Sequence, residues 1–286
     1  MKTPRSRALL AIPVLALLLS GCAQEPAPDA AAPAPLHDDP FAHVHGIGVL
    51  PGDPDILVAT HAGVYRVDSA GKAEGPLGGE DFDAMGFTVA GATLFASGHP
   101  GAATSPELGA PNLGIVRSVD GGATWEPVAR TGVEDFHVLT GGPDGSLFGI
   151  GSSSPGVQAS SDAGTTWTAG AELAAADLAV GGSDELYAAT EDGLQVSVDG
   201  AATFAPVPDA PLLFQIAAGA DGTLVGAGVD GLLWRAQEGG GWASGERFSG
   251  ALQTLAVGEG GSMLLVDDRG LVRIDASGVE VIRPAG

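Results

Sequence analysis

Short apolar segments recur along the chain in units of about 40 residues. The first segment of each unit ends at one of six positions, spaced by 40, 51, 40, 38 and 39 residues: Val49, Val89, Thr140, Val180, Ala218 and Val257. An Asp- and Gly-rich turn follows, then a second apolar segment, then a glycine that begins a third, and a fourth segment ends the unit. Four short strands per unit of this length are typical of a β-propeller. The pattern therefore predicts an all-β fold of six four-stranded antiparallel blades.

Three segments carry one polar motif at the same place in successive units. Residues 118–125 read S-x-D-x-G-x-T-W, residues 160–167 repeat the motif in full, and residues 197–204 repeat it with Ala for the glycine and Phe for the tryptophan. Asp and Gly favour a tight turn, and Ser and Thr side chains bond its backbone. The motif resembles the Asp-box of the BNR repeat propellers, which include sialidases, sortilin-type domains and many bacterial lipoproteins labelled glycosyl hydrolase. The resemblance implies the propeller fold and no particular chemistry.

The N-terminal residues differ in composition from the repeats. Residues 1–21 combine basic residues with a short apolar run, as in a secretory signal peptide. The run ends in Leu-Ser-Gly-Cys22, which resembles the lipobox of bacterial lipoproteins. The resemblance implies cleavage before Cys22 and a lipid on its sulfur, so we expect an extracytoplasmic protein anchored to the cell membrane. Residues 22–40 are rich in Ala and Pro and predict a disordered tether, which leaves residues 41–286 for the propeller.

The charge of the chain limits its partners. The formal net charge is −23, and loss of the three basic residues of the leader makes it −26. Such an acidic protein repels nucleic acid, so we expect no nucleic-acid partner. It tolerates or attracts cations instead.

Five of the six histidines fall where a propeller builds its binding face. Blade strands alternate in direction, so the start of each first strand and the loop after each second strand meet at one end of the channel. The first three units place four imidazoles and a thioether there, with a further histidine at the periphery: His45, His61, Met85, His99 and His137, and His43. Imidazole is a common transition-metal ligand, and a thioether favours copper. Zinc is the second choice, with Asp135 or Asp177 as its carboxylate ligand.

The predicted site is therefore a metal site for copper or zinc, with no organic cofactor. A pocket for a small polar ligand is the alternative use of the same residues.

Carboxylates on the same face keep an enzymatic alternative open. Asp135, Asp177 and Glu191 are candidates for the two carboxylates that glycoside hydrolysis requires. Sialidases also hold their substrate with three arginines and use a tyrosine nucleophile. Here only Arg269 maps to the candidate face, and both tyrosines fall inside predicted strands. We therefore favour a binding protein over an enzyme.

A third hypothesis is that the propeller docks another protein, as implied by the resemblance to sortilin-type domains. In this hypothesis, the Pro- and Gly-rich segment 101–112 contacts the protein partner.

Overall fold

The computed structural model describes residues 39–154, 156–219 and 221–286. Their regular structure consists of 24 strands in six four-stranded antiparallel sheets, with four 3-10 helices of three residues each. The six-bladed all-β propeller predicted from the repeat is confirmed. None of the helices in the described part is long and apolar enough to cross a membrane. The predicted signal peptide, Cys22 and the tether up to residue 38 lie outside the described residues.

Each blade is built from four consecutive strands, ordered from the channel outward. The first blade contains β1 (Val44–Val49), β2 (Ile56–Thr60), β3 (Gly63–Val67) and β4 (Ala73–Glu74). The second contains β5 (Asp83–Ala90), β6 (Thr93–His99), β7 (Ile115–Ser118) and β8 (Glu126–Ala129). The third contains β9 (Phe136–Gly141), β10 (Leu147–Gly151), β11 (Gln158–Ser160) and β12 (Thr168–Ala169).

The remaining three blades follow the same order. The fourth contains β13 (Asp177–Val180), β14 (Leu186–Thr190), β15 (Gly193–Ser197) and β16 (Ala205–Pro206). The fifth contains β17 (Leu213–Ala218), β18 (Leu224–Gly228), β19 (Leu232–Ala236) and β20 (Trp242–Arg247). The sixth contains β21 (Thr254–Val257), β22 (Met263–Asp267), β23 (Gly270–Asp275) and β24 (Gly278–Pro284). The 3-10 helices cover Pro40–Ala42, Leu77–Gly79, Pro106–Leu108 and Glu259–Gly261.

The predicted Asp-box turns form between the third and fourth strands of blades two to four. In the first of them, Ser118 Oγ accepts from the N–H of Gly122, and Asp120 accepts from both the N–H and the hydroxyl of Thr124. These bonds, led by the Thr124 hydroxyl, lower the pKa of Asp120 to about 2. The other two boxes repeat the same bonds. The motif therefore stabilises the edge of the blade.

The ring closes by packing of complete blades. The first strands lie side by side around the channel, and β21 contacts β1. One apolar cluster joins the first and last blades, with Val44 and Ile47 on one side and Leu264 and Ile282 on the other. The Arg283 guanidinium lies 4.6 Å from the centroid of the Phe41 ring and adds a cation–π contact. Each described blade has its own four strands, so closure requires no exchanged strand.

Channel-facing side chains bond blade to blade in the second half of the ring. Asp177 Oδ2 in the fourth blade accepts from the N–H of Ile216 in the fifth, at 2.9 Å. Gln215 Nε2 donates to the carbonyl of Gln253 in the sixth blade, at 2.8 Å. Gln253 Oε1 in turn accepts from the N–H of Val44 in the first blade, at 2.7 Å. These polar residues therefore hold neighbouring blades together.

Candidate metal centre

Four first strands, β1, β5, β9 and β17, carry a β-bulge where they begin at the mouth of the channel, and in three of them the bulge falls at a candidate site residue. The pairing of β1 with β2 skips His45, that of β5 with β6 skips Ala84 and Met85, and that of β9 with β10 skips His137. A bulged residue is left out of the ladder, and the local bend re-aims its side chain. His45, Met85 and His137 line the channel, a cavity of about 1130 Å³. The bulges thus bring two imidazoles and a thioether to the mouth.

His45, His61 and Asp83 meet between the first and second blades and are called the first cluster. Nε2 of His45 lies 3.3 Å from Nδ1 of His61 and 3.4 Å from Oδ1 of Asp83. Nδ1 of His61 lies 2.7 Å from Oδ2 of Asp83. In the described part of the chain, this is the one set of three potential ligands whose donor atoms all lie within 4.8 Å of one another. Oδ1 of Asp83 is buried without a hydrogen-bond partner.

The spacing of these atoms suits a small divalent ion. Ligand bonds of about 2.0–2.1 Å at a tetrahedral ion place neighbouring ligand atoms about 3.3 Å apart. The separations from His45 Nε2 to the other two donors match that edge. Burial acts to raise the pKa of Asp83, but the adjacent imidazoles of His45 and His61 outweigh it and hold that pKa below its ordinary value. Asp83 is therefore a carboxylate at neutral pH, as a metal ligand must be.

His99, Asp135 and His137 meet between the second and third blades and are called the second cluster. Oδ2 of Asp135 lies 3.0 Å from Nε2 of His99 and 2.7 Å from Nε2 of His137. Asp135 is 1% exposed, and its Oδ1 is buried without a hydrogen-bond partner. Both imidazoles are about half exposed. A buried carboxylate thus holds two accessible rings at the mouth of the channel.

The Pro- and Gly-rich segment 101–112 contacts the second cluster. Segment 101–112 is anchored through Asp81, which accepts from the hydroxyl of Thr104 at 2.8 Å, and through the buried side chain of Leu108. At its end, the carbonyl of Pro111 lies 3.3 Å from Nδ1 of His99. The insertion in the second blade therefore positions this imidazole from the side opposite Asp135.

The structure divides the predicted histidine group into two. His45 and His61 belong to the first cluster, and His99 and His137 to the second. His43 is exposed and packs edge-on against His61, with ring centroids 5.1 Å apart. It is therefore a neighbour of the first cluster, and its ring is not among the converging ligands.

The three carboxylates considered for glycoside hydrolysis have different surroundings. Asp135 bonds the two imidazoles of the second cluster. Asp177 accepts from the N–H groups of Leu178 and Ile216, and its burial raises its pKa to about 7 against the effect of these bonds. Glu191 is exposed in the turn between β14 and β15. Asp135 is the one of the three that shares its site with the histidines.

Asp83 is the site residue that sequence reasoning missed. It lies two residues before Met85, as Asp135 lies two residues before His137. This Asp-x-(Met/His) pattern at the start of a first strand was the available signal. Alternation along a regular strand does not reveal it, because the bulge in β5 separates Asp83 from the pairing of the residues that follow.

Comparison with known proteins identifies the fold alone. No family model matches the chain, and no curated protein matches it. Among solved structures, it is similar to a streptogramin B lyase, with 14% identity, a TM-score of 0.53 and coverage of 85% of this chain and 84% of the lyase. A gluconolactonase from Xanthomonas campestris has 13% identity and a TM-score of 0.58, with 80% and 84% covered. A GH74 xyloglucanase from the same organism has 19% identity and a TM-score of 0.54, with 82% and 44% covered.

These neighbours are propeller enzymes, and at such identities the likeness extends to the propeller and not to its chemistry. The resemblance to the Asp-box family therefore remains a prediction from the motif.

Proposed function

We propose that this chain is a metal-binding propeller protein whose site is the first cluster. One observation carries the proposal: donor atoms of His45, His61 and Asp83 all lie within 4.8 Å of one another, with His45 Nε2 3.3 Å from His61 and 3.4 Å from Asp83. The orphaned Oδ1 of Asp83 adds support, because a buried carboxylate oxygen without a partner is costly and a cation would satisfy it.

Copper is the proposed ion and zinc the second choice. Two imidazoles and a carboxylate suit either metal, but the affinity of a given site for divalent ions is higher for Cu²⁺ than for Zn²⁺. Met85, which lines the channel two residues after Asp83, adds a soft sulfur that favours the reduced form of copper. Zinc would use the same three ligands with a water molecule in the fourth position.

The test is metal analysis of the purified propeller after equilibration with Cu²⁺ or Zn²⁺ and gel filtration. We expect retained copper in the wild-type protein and at least tenfold weaker copper binding by the first cluster in His45→Ala and Asp83→Asn. His43→Ala is the matched control, because it removes a nearby imidazole that is not a converging ligand, and it should bind as the wild type does. Absence of retained metal, or equal loss in the control, would overturn the proposal.

We further propose that the protein carries this site outside the cytoplasm, anchored to the membrane through a lipid on Cys22. The lipobox-like segment supports this location. A Cys22→Ser variant should lose the lipid mass on the N-terminal peptide and move from the membrane fraction to the soluble one. Retention of Cys22→Ser in the membrane fraction would refute the anchor without affecting the metal proposal.

A further inference from the structure

The two clusters repeat one arrangement a blade apart. In each, a histidine at the end of a blade's second strand faces an aspartate at the start of the next blade's first strand: His61 faces Asp83, and His99 faces Asp135. In each aspartate, Oδ2 contacts the imidazole, whereas Oδ1 is buried without a hydrogen-bond partner. The second cluster therefore repeats the histidine–aspartate pair and the unpartnered Oδ1 of the first.

The bulged residues complete the repeat. His45 contributes the third donor of the first cluster, and His137 that of the second. Met85 is the bulged residue of the blade that the two clusters share, and it lines the channel with both.

The contact with Pro111 prepares His99 to bind a cation. When Nδ1–H of His99 donates to the carbonyl of Pro111, the lone pair of Nε2 faces Oδ2 of Asp135 at 3.0 Å. Two acceptor atoms at that distance repel each other unless a proton or a metal ion lies between them. A hydrogen bond from the second ring nitrogen is also the usual means of orienting a metal-ligating histidine.

The two clusters are neighbours in the sheet. Asp83 of the first cluster and His99 of the second are directly paired across β5 and β6. Paired residues of an antiparallel ladder have Cα atoms about 4.5–5.5 Å apart. Ions held by the two clusters, on either side of this pair, would therefore lie on the order of 10–15 Å from each other.

We propose that the protein binds two copper ions side by side, the first at His45, His61 and Asp83 and the second at His99, Asp135 and His137, with the Met85 thioether between them. This inference rests on the proposed function and extends it from one ion to two. The second cluster is the more open: its two imidazoles contact opposite sides of one carboxylate oxygen, their nitrogens do not converge within 4.8 Å as those of the first cluster do, and they must approach each other to hold one ion. The second ion should therefore bind more weakly than the first.

The number of ions per chain tests the inference. Titration with Cu²⁺, followed by gel filtration and metal analysis, should give two ions for the wild type, one for Asp83→Asn, one for Asp135→Asn and none for the double variant. Because Asp135 is buried, His137→Ala serves as the second variant: its half-exposed side chain can be removed without opening a core cavity. It should also retain one ion, and His43→Ala, the matched control, should retain two.

Two further measurements examine the proximity of the ions. Paired Cu²⁺ ions should broaden each other's electron paramagnetic resonance spectrum in the wild type, and the broadening should vanish in each single-site variant. Met85→Leu should weaken Cu⁺ binding at both sites and leave Zn²⁺ binding unchanged.

The outcomes separate this inference from the proposed function. One ion in the wild type, lost in Asp83→Asn and kept in Asp135→Asn and His137→Ala, would overturn the second site and leave the first. One ion lost in every one of these variants would mean a single site spanning both clusters, which also overturns the two-ion inference. No bound ion at all would overturn both proposals.

Discussion

Replacing Gly98 with alanine should damage both the stability of the propeller and its candidate metal centre. Gly98 lies in β6 between Ser97 and His99, with a φ angle of +144° that L-residues rarely adopt. A Cβ at this position would lie 1.9 Å from the carbonyl oxygen of Asp83 and 3.0 Å from the backbone nitrogen of Met85. Both neighbours are backbone atoms of β5, so no side-chain rotation relieves the overlap. The strands that carry the two clusters must therefore separate.

The expected loss has two parts. The backbone conformation at Gly98 costs an L-residue about 1–2 kcal/mol of folding free energy. About 0.4–1 kcal/mol of this is offset, because alanine also lowers the conformational entropy of the unfolded chain. The forced backbone shift adds about 1–3 kcal/mol. A total of roughly 1–5 kcal/mol corresponds to a fall of about 2–20 °C in Tm for a domain of this size.

Gly193→Ala separates the two parts. Gly193 opens β15 with a φ of +115°, but a Cβ there would have no atom within 4 Å. The Gly193→Ala variant should therefore lose only the conformational part of the stability, about 1 kcal/mol of unfolding free energy or 2–4 °C in Tm. Differential scanning calorimetry measures both variants, and copper titration should show weaker binding in Gly98→Ala alone. Equal losses of Tm in the two variants, with unchanged copper binding in Gly98→Ala, would refute the close approach of β6 to Asp83.

Three further predictions concern stability. The pKa of Asp177 is raised to about 7, so the folded state keeps a proton that the unfolded chain releases near pH 4. As the pH rises from 4 to 7, the difference in unfolding free energy between the wild type and Asp177→Asn should therefore shrink by up to about 1.4 kcal/mol per pH unit. Calorimetry at pH 5 and pH 8 checks this, and a constant difference would contradict it. Ala163→Gly should raise the free energy of unfolding in urea by about 0.5–1 kcal/mol, because Ala163 holds a φ of +55° in the second Asp-box. A lower free energy of unfolding would count against backbone strain at this position. Ser97→Ala should lose about 1–3 kcal/mol in the same assay, because the buried N–H of Phe136 donates to Ser97 Oγ at 2.8 Å; an unchanged midpoint would mean that this N–H finds another acceptor.

The repeat made the fold predictable from the sequence. Each unit has its own apolar segments and turns, so the period of about 40 residues and the three Asp-boxes locate the strands without knowledge of distant contacts. Of the six predicted ends of first segments, Val49, Val180, Ala218 and Val257 are the last residues of β1, β13, β17 and β21, and the other two lie one residue before the ends of β5 and β9. The period also predicted that His61 and His99 lie at the same face as His45 and His137.

The grouping of the histidines was less predictable. The position of a residue in the repeat specifies the face of the propeller on which it lies, but not the residue that it contacts. One group of four histidines and Met85 was therefore as consistent with the sequence as two separate clusters. The partners are two aspartates at strand starts, one of which, Asp83, was not predicted as a site residue. Its contact with His61 depends on the packing of neighbouring blades and on the bulge in β5. Both are tertiary features that a single sequence does not encode locally.

The two halves of the ring use the same positions differently, and this difference bears on the role of the histidines. In blades four to six, channel-facing polar side chains bond the backbone of the next blade, as Asp177 and Gln253 do. In the first half of the ring, the corresponding bond from the second to the third blade is made by Ser97, which lies deeper in the sheet than His99. The polar contacts of His45 and His137 go instead to their own clusters. The imidazoles of His45 and His61 thus contact the carboxylate of the next blade, whereas Asp177 and Gln253 contact its backbone. A ligand that displaces these imidazole contacts would leave the backbone bonds between blades intact.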